Sequence, residues 1–192
     1  MPERSRKPAK ENKSDPSSGA PPITVKGWTL FFHEHLLDQL ERLTTAAELD
    51  NKRRIADAGR QRGTPATSNA KVLRSLHQLM FEEIPDNPNR AEYRQGSTLG
   101  STRAHWFRAK FEAGRFRLFF RFHSSAKIIV YAWVNDDQTL RTYGSPTDAY
   151  RVFAGMLDKG DPPDTWDALL KSCQTKKWQD RAAALVASRS RG

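Results

Sequence analysis

The stretch Trp106-Phe107-Arg108-Ala109-Lys110-Phe111-Glu112-Ala113-Gly114-Arg115-Phe116-Arg117-Leu118-Phe119-Phe120-Arg121-Phe122 decides the fold class. Side chains alternate between the two faces of a strand. Residues 106–111 therefore place Phe107, Ala109 and Phe111 on one face and Trp106, Arg108 and Lys110 on the other. Residues 115–122 repeat the pattern, with Phe116, Leu118, Phe120 and Phe122 opposite Arg115, Arg117, Phe119 and Arg121. A two-residue turn at Ala113-Gly114, or a four-residue loop of the same parity, sets Phe111 against Phe116 and Lys110 against Arg117. The apolar faces then agree across a hairpin. A further strand, 127–134, carries Ile128, Ile129, Val130 and Tyr131, the β-branched and aromatic types that strands favour.

N-terminal to this block the period changes. Residues 23–33 read as one strand, with Val25, Trp28, Leu30, Phe31 and Phe32 as its bulk. Leu36, Leu40, Leu43 and Ala47 then recur at helical spacing, which predicts a helix over 34–58 broken by Gly59, Gly63 and Pro65. A second helix opens at Ser68, a plausible N-cap, and carries Val72, Leu73, Leu76, Leu79 and Met80 until Pro85 stops it. The two make a helical hairpin. On the C-terminal side a helix is predicted over 147–159, capped by Gly160, with a short helix opening at Asp164 after Pro162-Pro163. Residues 1–22 hold five prolines and almost nothing apolar, so they are predicted to be a disordered tail. Residues 174–192 read as a basic, Ala-rich tail with a frayed helix near 177–187. One α+β domain, 23–173, remains between them, an ordinary size for a single core.

Charge narrows the function. Lys and Arg number 32 against 22 Asp and Glu, a net charge of +10, which suits a polyanionic partner. From Tyr93 to Lys127 eight basic residues face the single acid Glu112. The lone cysteine, Cys173, excludes an internal disulfide and reads as a packing residue. Apolar runs such as 128–134 are far shorter than the roughly 18–20 residues that span a bilayer, so a soluble, cytoplasmic protein without a membrane partner is expected.

Like charges opposed across a strand pair are mildly destabilising, so Lys110 against Arg117 calls for an anion between them. The plainer alternative is a solvated sheet face whose long stems snorkel apart. The missing counter-acids favour a phosphate-binding face, with Arg103, Arg115 and Arg121 extending it and Trp106, Phe119 and Tyr131 as candidate base-stacking platforms. His33-Glu34-His35 looks ligand-like but lacks further ligands, so no metal or other cofactor is expected. His105 reads as a surface histidine, and Gly96 and Gly100 are too sparse for a phosphate-cradling loop.

Ordered strings carry a family resemblance. Leu99-Gly100-Ser101, Trp106 to Phe111, Gly114 to Arg121, Ala132-Trp133-Val134-Asn135-Asp136, Thr139 to Gly144 and Thr147-Asp148-Ala149-Tyr150 resemble the YhaV family of toxins, as do Gly27-Trp28 and the later Pro162-Pro163 with Trp166. The likeness runs from about Val25 to Leu170 and is dense after Tyr93; the helical hairpin matches in pattern more than in residues. It implies a RelE-like fold, with an N-terminal strand and helical hairpin packed on an antiparallel β-sheet and helices at the C-terminal end. It also implies RNA cleavage that arrests growth, held in check by a PrlF-like, AbrB-type antitoxin whose complex with the toxin represses promoter DNA. Arg108 matches the arginine that YhaV toxins need for toxicity. The wider superfamily adds Lys110, Arg117, Arg141 and either Tyr143 or Tyr150. Where the family often has an acid before the Trp, this chain has His105.

With no metal cluster in view, cleavage would use the RNA's own 2′-hydroxyl as nucleophile. Arg108 and Arg117 would clamp the phosphate oxygens, since a planar guanidinium matches that geometry. Lys110, flanked by Arg108, Arg115 and Arg117, is the candidate base, because arginine makes a poor one; Tyr143, Tyr150 or Arg141 would serve the leaving 5′-oxygen. Two other functions stay open at this point: a toxin acting on a protein target such as DNA gyrase, and a nucleic-acid-binding module without catalysis. Whether the ribosome must hold the RNA is also open.

Overall fold

After Val25 the chain turns back on itself: Lys26 and Gly27 both take positive φ, 49° and 79°, as a two-residue type I′ turn requires. Residues 23–33 are therefore a hairpin, not one strand. β1 (Ile23–Val25) and β2 (Trp28–Phe32) pair antiparallel with Val25 opposite Trp28. The computed structural model describes residues 20–57, 68–140 and 142–189. The tail predicted as disordered lies almost wholly outside the described residues, and so does the predicted break at Gly59, Gly63 and Pro65.

Two helices follow as the apolar stripes predict, α1 (Glu34–Asp57) and α2 (Ser68–Gln78). The path does not stop at Pro85. It continues through a single π turn, Leu79–Glu83, into α3 (Ile84–Asp86); Pro85 there has no N–H to donate, and the Met80 carbonyl one π turn back accepts the Tyr131 hydroxyl at 2.7 Å instead. β3 (Phe107–Phe111), β4 (Phe116–His123) and β5 (Ile128–Val134) lie within a residue of their predicted bounds. Phe111 opposes Phe116 and Lys110 opposes Arg117, joined by the four-residue form of the connection. Then come α4 (Ala149–Asp158), α5 (Trp166–Cys173) and α6 (Lys176–Arg189).

The sheet order is β1-β2-β5-β4-β3. β2 runs parallel to β5, with Leu30 beside Ile129, so the sheet is mixed where a purely antiparallel one was expected; the α+β class stands. One face packs on α1, α2 and the π turn through Leu36, Leu37, Leu40, Leu76 and Met80 against Phe32, Leu118, Phe120 and Tyr131. A register shift between Phe119 and Phe120 turns Ala132 and Trp133 together toward the other face. That face is not open to solvent. α4 and α5 cover much of it with Tyr150, Phe153, Leu157 and Leu169.

Phe153 lies at the centre of this second core, its ring 4.2 Å from Phe119 and 5.7 Å from Trp133, with the Trp106 ring edge-on at 5.0 Å. Phe153→Ala is expected to cost about 3–5 kcal/mol in chemical denaturation, since three rings lose their common partner. Nor is 174–189 a loose tail. Arg181 of α6 reaches Asp38 at 2.6 Å and Glu41 at 2.7 Å on α1, and Ala182 is buried among the helices. The basic composition hid this because the helix attaches by two ion pairs and small or partly buried apolar contacts.

Candidate active site

The β3–β4 register puts Arg108, Lys110 and Arg117 on one face, beside the N-terminal end of α4. Asp148 makes that end. Its Oδ1 accepts the Tyr150 N–H at 3.0 Å as an N-cap, and its Oδ2 accepts the Thr142 N–H at 2.9 Å. Tyr150, in the first turn, is thereby aimed at the strands. Its hydroxyl accepts from Arg108 Nε at 2.8 Å, while the Arg117 guanidinium lies 5.5 Å from its ring centroid. Arg108 also donates from Nη1 to the Glu92 carbonyl. One tyrosine thus holds two guanidiniums side by side.

Arg117 is only 6% exposed. Its Nη1 donates to the Gly114 carbonyl at 2.9 Å, and its Nε is buried with no hydrogen-bond partner. Asn135 fixes the strand beneath it, accepting the Arg117 backbone N–H at 2.5 Å and donating to the Arg115 carbonyl at 3.2 Å. Among the described residues no carboxylate forms an ion pair with Arg108, Lys110 or Arg117. A buried cation without a counter-charge is costly, and a bound anion removes that cost. The arrangement binds a phosphate well: two planar guanidiniums from neighbouring strands, with an exposed amine, Lys110, beside them.

The other predicted residues divide. Tyr143 stands 91% exposed in the loop just after Thr142, a surface ring rather than part of the buried cluster. Arg141 lies outside the described residues. Arg115 leaves the cluster for Asp137, at 3.1 Å on the exposed rim. Trp106, Phe119 and Tyr131 are fully buried and cannot be stacking platforms; they belong to the two cores, because a strand aromatic reads alike whether its face meets water or a helix. Arg103 and Arg121 are likewise committed elsewhere. Arg103 pairs with Asp158 at 2.7 Å and Asp164 at 3.2 Å. Arg121 is sandwiched between Trp106 and Trp166 and donates to the Asp164 carbonyl at 2.6 Å.

Asp164 is the residue that sequence reasoning missed. Its carboxylate accepts from Trp106 Nε1 at 2.7 Å and Arg103 Nε at 3.2 Å, and it meets His105 Nε2 at 2.9 Å. It fastens the loop before α5 to the entry of β3, and His105 gains a structural role there. No local signal marks it, since its partners lie some 60 residues away. Burial would raise its carboxyl pKa, but the hydrogen bonds from Trp106, His105 and Arg103 together hold it below the usual carboxylate range. A depressed acid stabilises above the unfolded-state value and loses that stabilisation as pH falls through the folded one. Asp164→Asn is therefore expected to lower Tm at pH 7, with the gap to the parent narrowing below about pH 4, read by thermal unfolding across pH.

Cys173 packs as expected, its thiol pushed up to about 12 by burial. Among the described residues no helix is long and apolar enough to cross a membrane.

Residues 30–174 match the family model Toxin_YhaV, described as a toxin with endonuclease activity of a toxin–antitoxin system. Curated relatives include the ribonuclease toxin YhaV of Escherichia coli K12 and toxin YhaV of Escherichia coli O157:H7. Each is 38% identical over 154 residues, covering 80% of this chain and 96% of the relative. No solved structure matches.

Proposed function

Because the chain belongs to the YhaV family of toxins with endonuclease activity, we propose that it cleaves messenger RNA in the cytoplasm without a catalytic metal and so arrests growth. The observation that supports this most directly is Arg117, buried with its Nε unpartnered and, beside Arg108 and Lys110, without a paired carboxylate among the described residues. The cluster offers hydrogen-bond donors for a phosphate, and the Asp148 carboxylate near it is taken up by the Tyr150 and Thr142 N–H groups.

In this mechanism Arg108 and Arg117 bind the non-bridging oxygens and stabilise charge as phosphorus becomes five-coordinate. Lys110 takes the 2′-proton as O2′ attacks; the P–O5′ bond breaks and the leaving oxygen takes a proton from Tyr143 or from a water molecule, giving a 2′,3′-cyclic phosphate and a 5′-hydroxyl. Tyr150 holds Arg108 in place, a positioning role. Tyr143, in the loop before Asp148, and Arg141, which lies outside the described residues, are the candidates to meet the leaving nucleotide. The test is incubation of purified protein with RNA, with and without ribosomes: new 5′-hydroxyl ends are expected, and intact RNA in both mixtures would favour a binding module or a protein target.

The partner follows from the same face. An antitoxin of the PrlF-like, AbrB-type class would lay acidic residues across Arg108, Lys110 and Arg117, excluding RNA and neutralising the field together, and would carry the complex to promoter DNA. RNA is expected to compete with this antitoxin in a pull-down, and the complex is expected to leave RNA uncut. Stable binding with cleavage unchanged would reject occlusion.

A further inference from the structure

His33-Glu34-His35 looks incomplete as a ligand set in the sequence, and the fold supplies a third donor from 126 residues beyond His35. His33 follows the last residue of β2, His35 stands in the first turn of α1, and Asp161 follows α4. Asp161 Oδ1 lies 3.1 Å from His35 Nε2 and 3.6 Å from His33 Nε2, and the three ligand atoms fall within 4.8 Å of one another. Donors bound to one tetrahedral ion at about 2.0–2.1 Å stand about 3.3 Å apart, a value that the two histidine–aspartate separations bracket. We propose that His33, His35 and Asp161 form a divalent-metal site, best suited to Zn²⁺, which clips the β2–α1 junction to the loop after α4.

The donor chemistry agrees with the geometry. Two imidazoles and a carboxylate are borderline ligands that zinc takes with water in the fourth position. The His33 ring is buried with its Nε2 turned toward Asp161, so the fold holds it in place as a ligand. Its Nδ1 accepts only a long bond, 3.4 Å, from the His35 backbone N–H. Placing the metal on Nε2 moves the ring proton to Nδ1 and exchanges that bond for the metal–nitrogen bond. His35 and Asp161 are partly exposed, which gives the ion a route in.

Tyr150 lies in the first turn of α4 and Asp161 beyond its last, so ten residues of helix, about 15 Å, separate this cluster from the arginines. The site is therefore a clip and not part of the cleavage step. It also anchors the chain three residues before Asp164, whose network secures the edge of the sheet.

The test uses untagged full-length protein, stripped with chelator, dialysed and titrated with ZnCl₂ in a calorimeter. Co²⁺ provides the visible spectrum of a tetrahedral site, and thermal unfolding is followed with and without zinc. One ion per chain at about micromolar affinity or tighter is expected, with a zinc-dependent rise in Tm. His35→Ala and Asp161→Asn change a partly exposed and an exposed group and leave buried His33 untouched, so folding is retained. Each is expected to weaken binding by about a hundredfold or more and abolish the Tm rise, with RNA cleavage unchanged. No saturable binding, or the same stoichiometry and affinity in both variants, would overturn the site whatever the outcome for RNA.

Discussion

Arg108→Ala is expected to lower RNA cleavage by about 10²–10³-fold and to let cells expressing the chain grow, because it removes a charged donor from the phosphate where transition-state charge develops. Among the described residues the Arg108 guanidinium makes two hydrogen bonds, to the Tyr150 hydroxyl and the Glu92 carbonyl, so a displaced loop is a second source of loss. Arg108→Lys separates the causes. It keeps the charge but not the planar fork, and a mainly chemical role leaves the lysine variant still impaired, about tenfold or more, with unfolding like the parent. Tyr150→Phe removes the hydroxyl that holds Nε while leaving the ring under Arg117, and a smaller loss is expected. A soluble, folded Arg108→Ala protein that remained as toxic as the parent would remove this arginine from the site.

The second large effect lies in the substrate. A single deoxyribose on the 5′ side of the scissile phosphate is expected to stop cleavage at that bond, because the nucleophile itself is gone, whereas the same substitution one nucleotide away leaves cleavage nearly unchanged. Binding supplies the internal comparison. The deoxy-substituted strand keeps every phosphate, so its affinity and the salt dependence of that affinity should match those of the all-ribose strand. Full cleavage of the deoxy bond would require an external nucleophile.

Much of the fold was legible because strand alternation is local. Phe116, Leu118 and Phe120 against Arg115 and Arg117 fix both faces of β4 and, through parity, the opposition of Lys110 and Arg117 in β3. Contacts between distant segments were not legible in this way. The parallel pairing of β2 with β5 joins residues about 100 positions apart, and no periodicity carries it. The stripe of Tyr150, Phe153 and Leu157 announces a helix with one buried face, but not that it covers the face bearing the arginines. That covering turned Trp106 and Phe119 from surface platforms into core. It also turned Arg117 from a solvated side chain into a buried one, which is the feature that supports an anion site.

The candidate site was legible to a similar degree. Arg108, Lys110 and Arg117 share a face by register alone, and Tyr150 joined them through the resemblance before its hydroxyl was seen to hold Arg108. Arg103 and Arg121 read in the sequence as part of the basic face because their partners, the Asp158 and Asp164 carboxylates for Arg103 and the Asp164 carbonyl for Arg121, follow by some 40 to 60 residues, so the stretch from Tyr93 to Lys127 looks less engaged than it is. With Arg103, Arg115 and Arg121 engaged elsewhere and Arg94 and Lys127 lying over the Phe107 and Trp28 rings, Arg108, Lys110 and Arg117 remain together on one face.

The chemistry of the ends is the most direct test of that cluster. Purified protein, treated with chelator, is incubated with an end-labelled RNA, and the fragments are examined by mass spectrometry and by their response to polynucleotide kinase. Internal attack by the 2′-hydroxyl on a phosphate held by Arg108 and Arg117 is expected to leave a 2′,3′-cyclic phosphate or its 3′-phosphate on one fragment and a 5′-hydroxyl on the other. Fragments ending in 3′-hydroxyl and 5′-phosphate, or cleavage that stops in chelator and returns with an added metal while the protein stays folded, would contradict it.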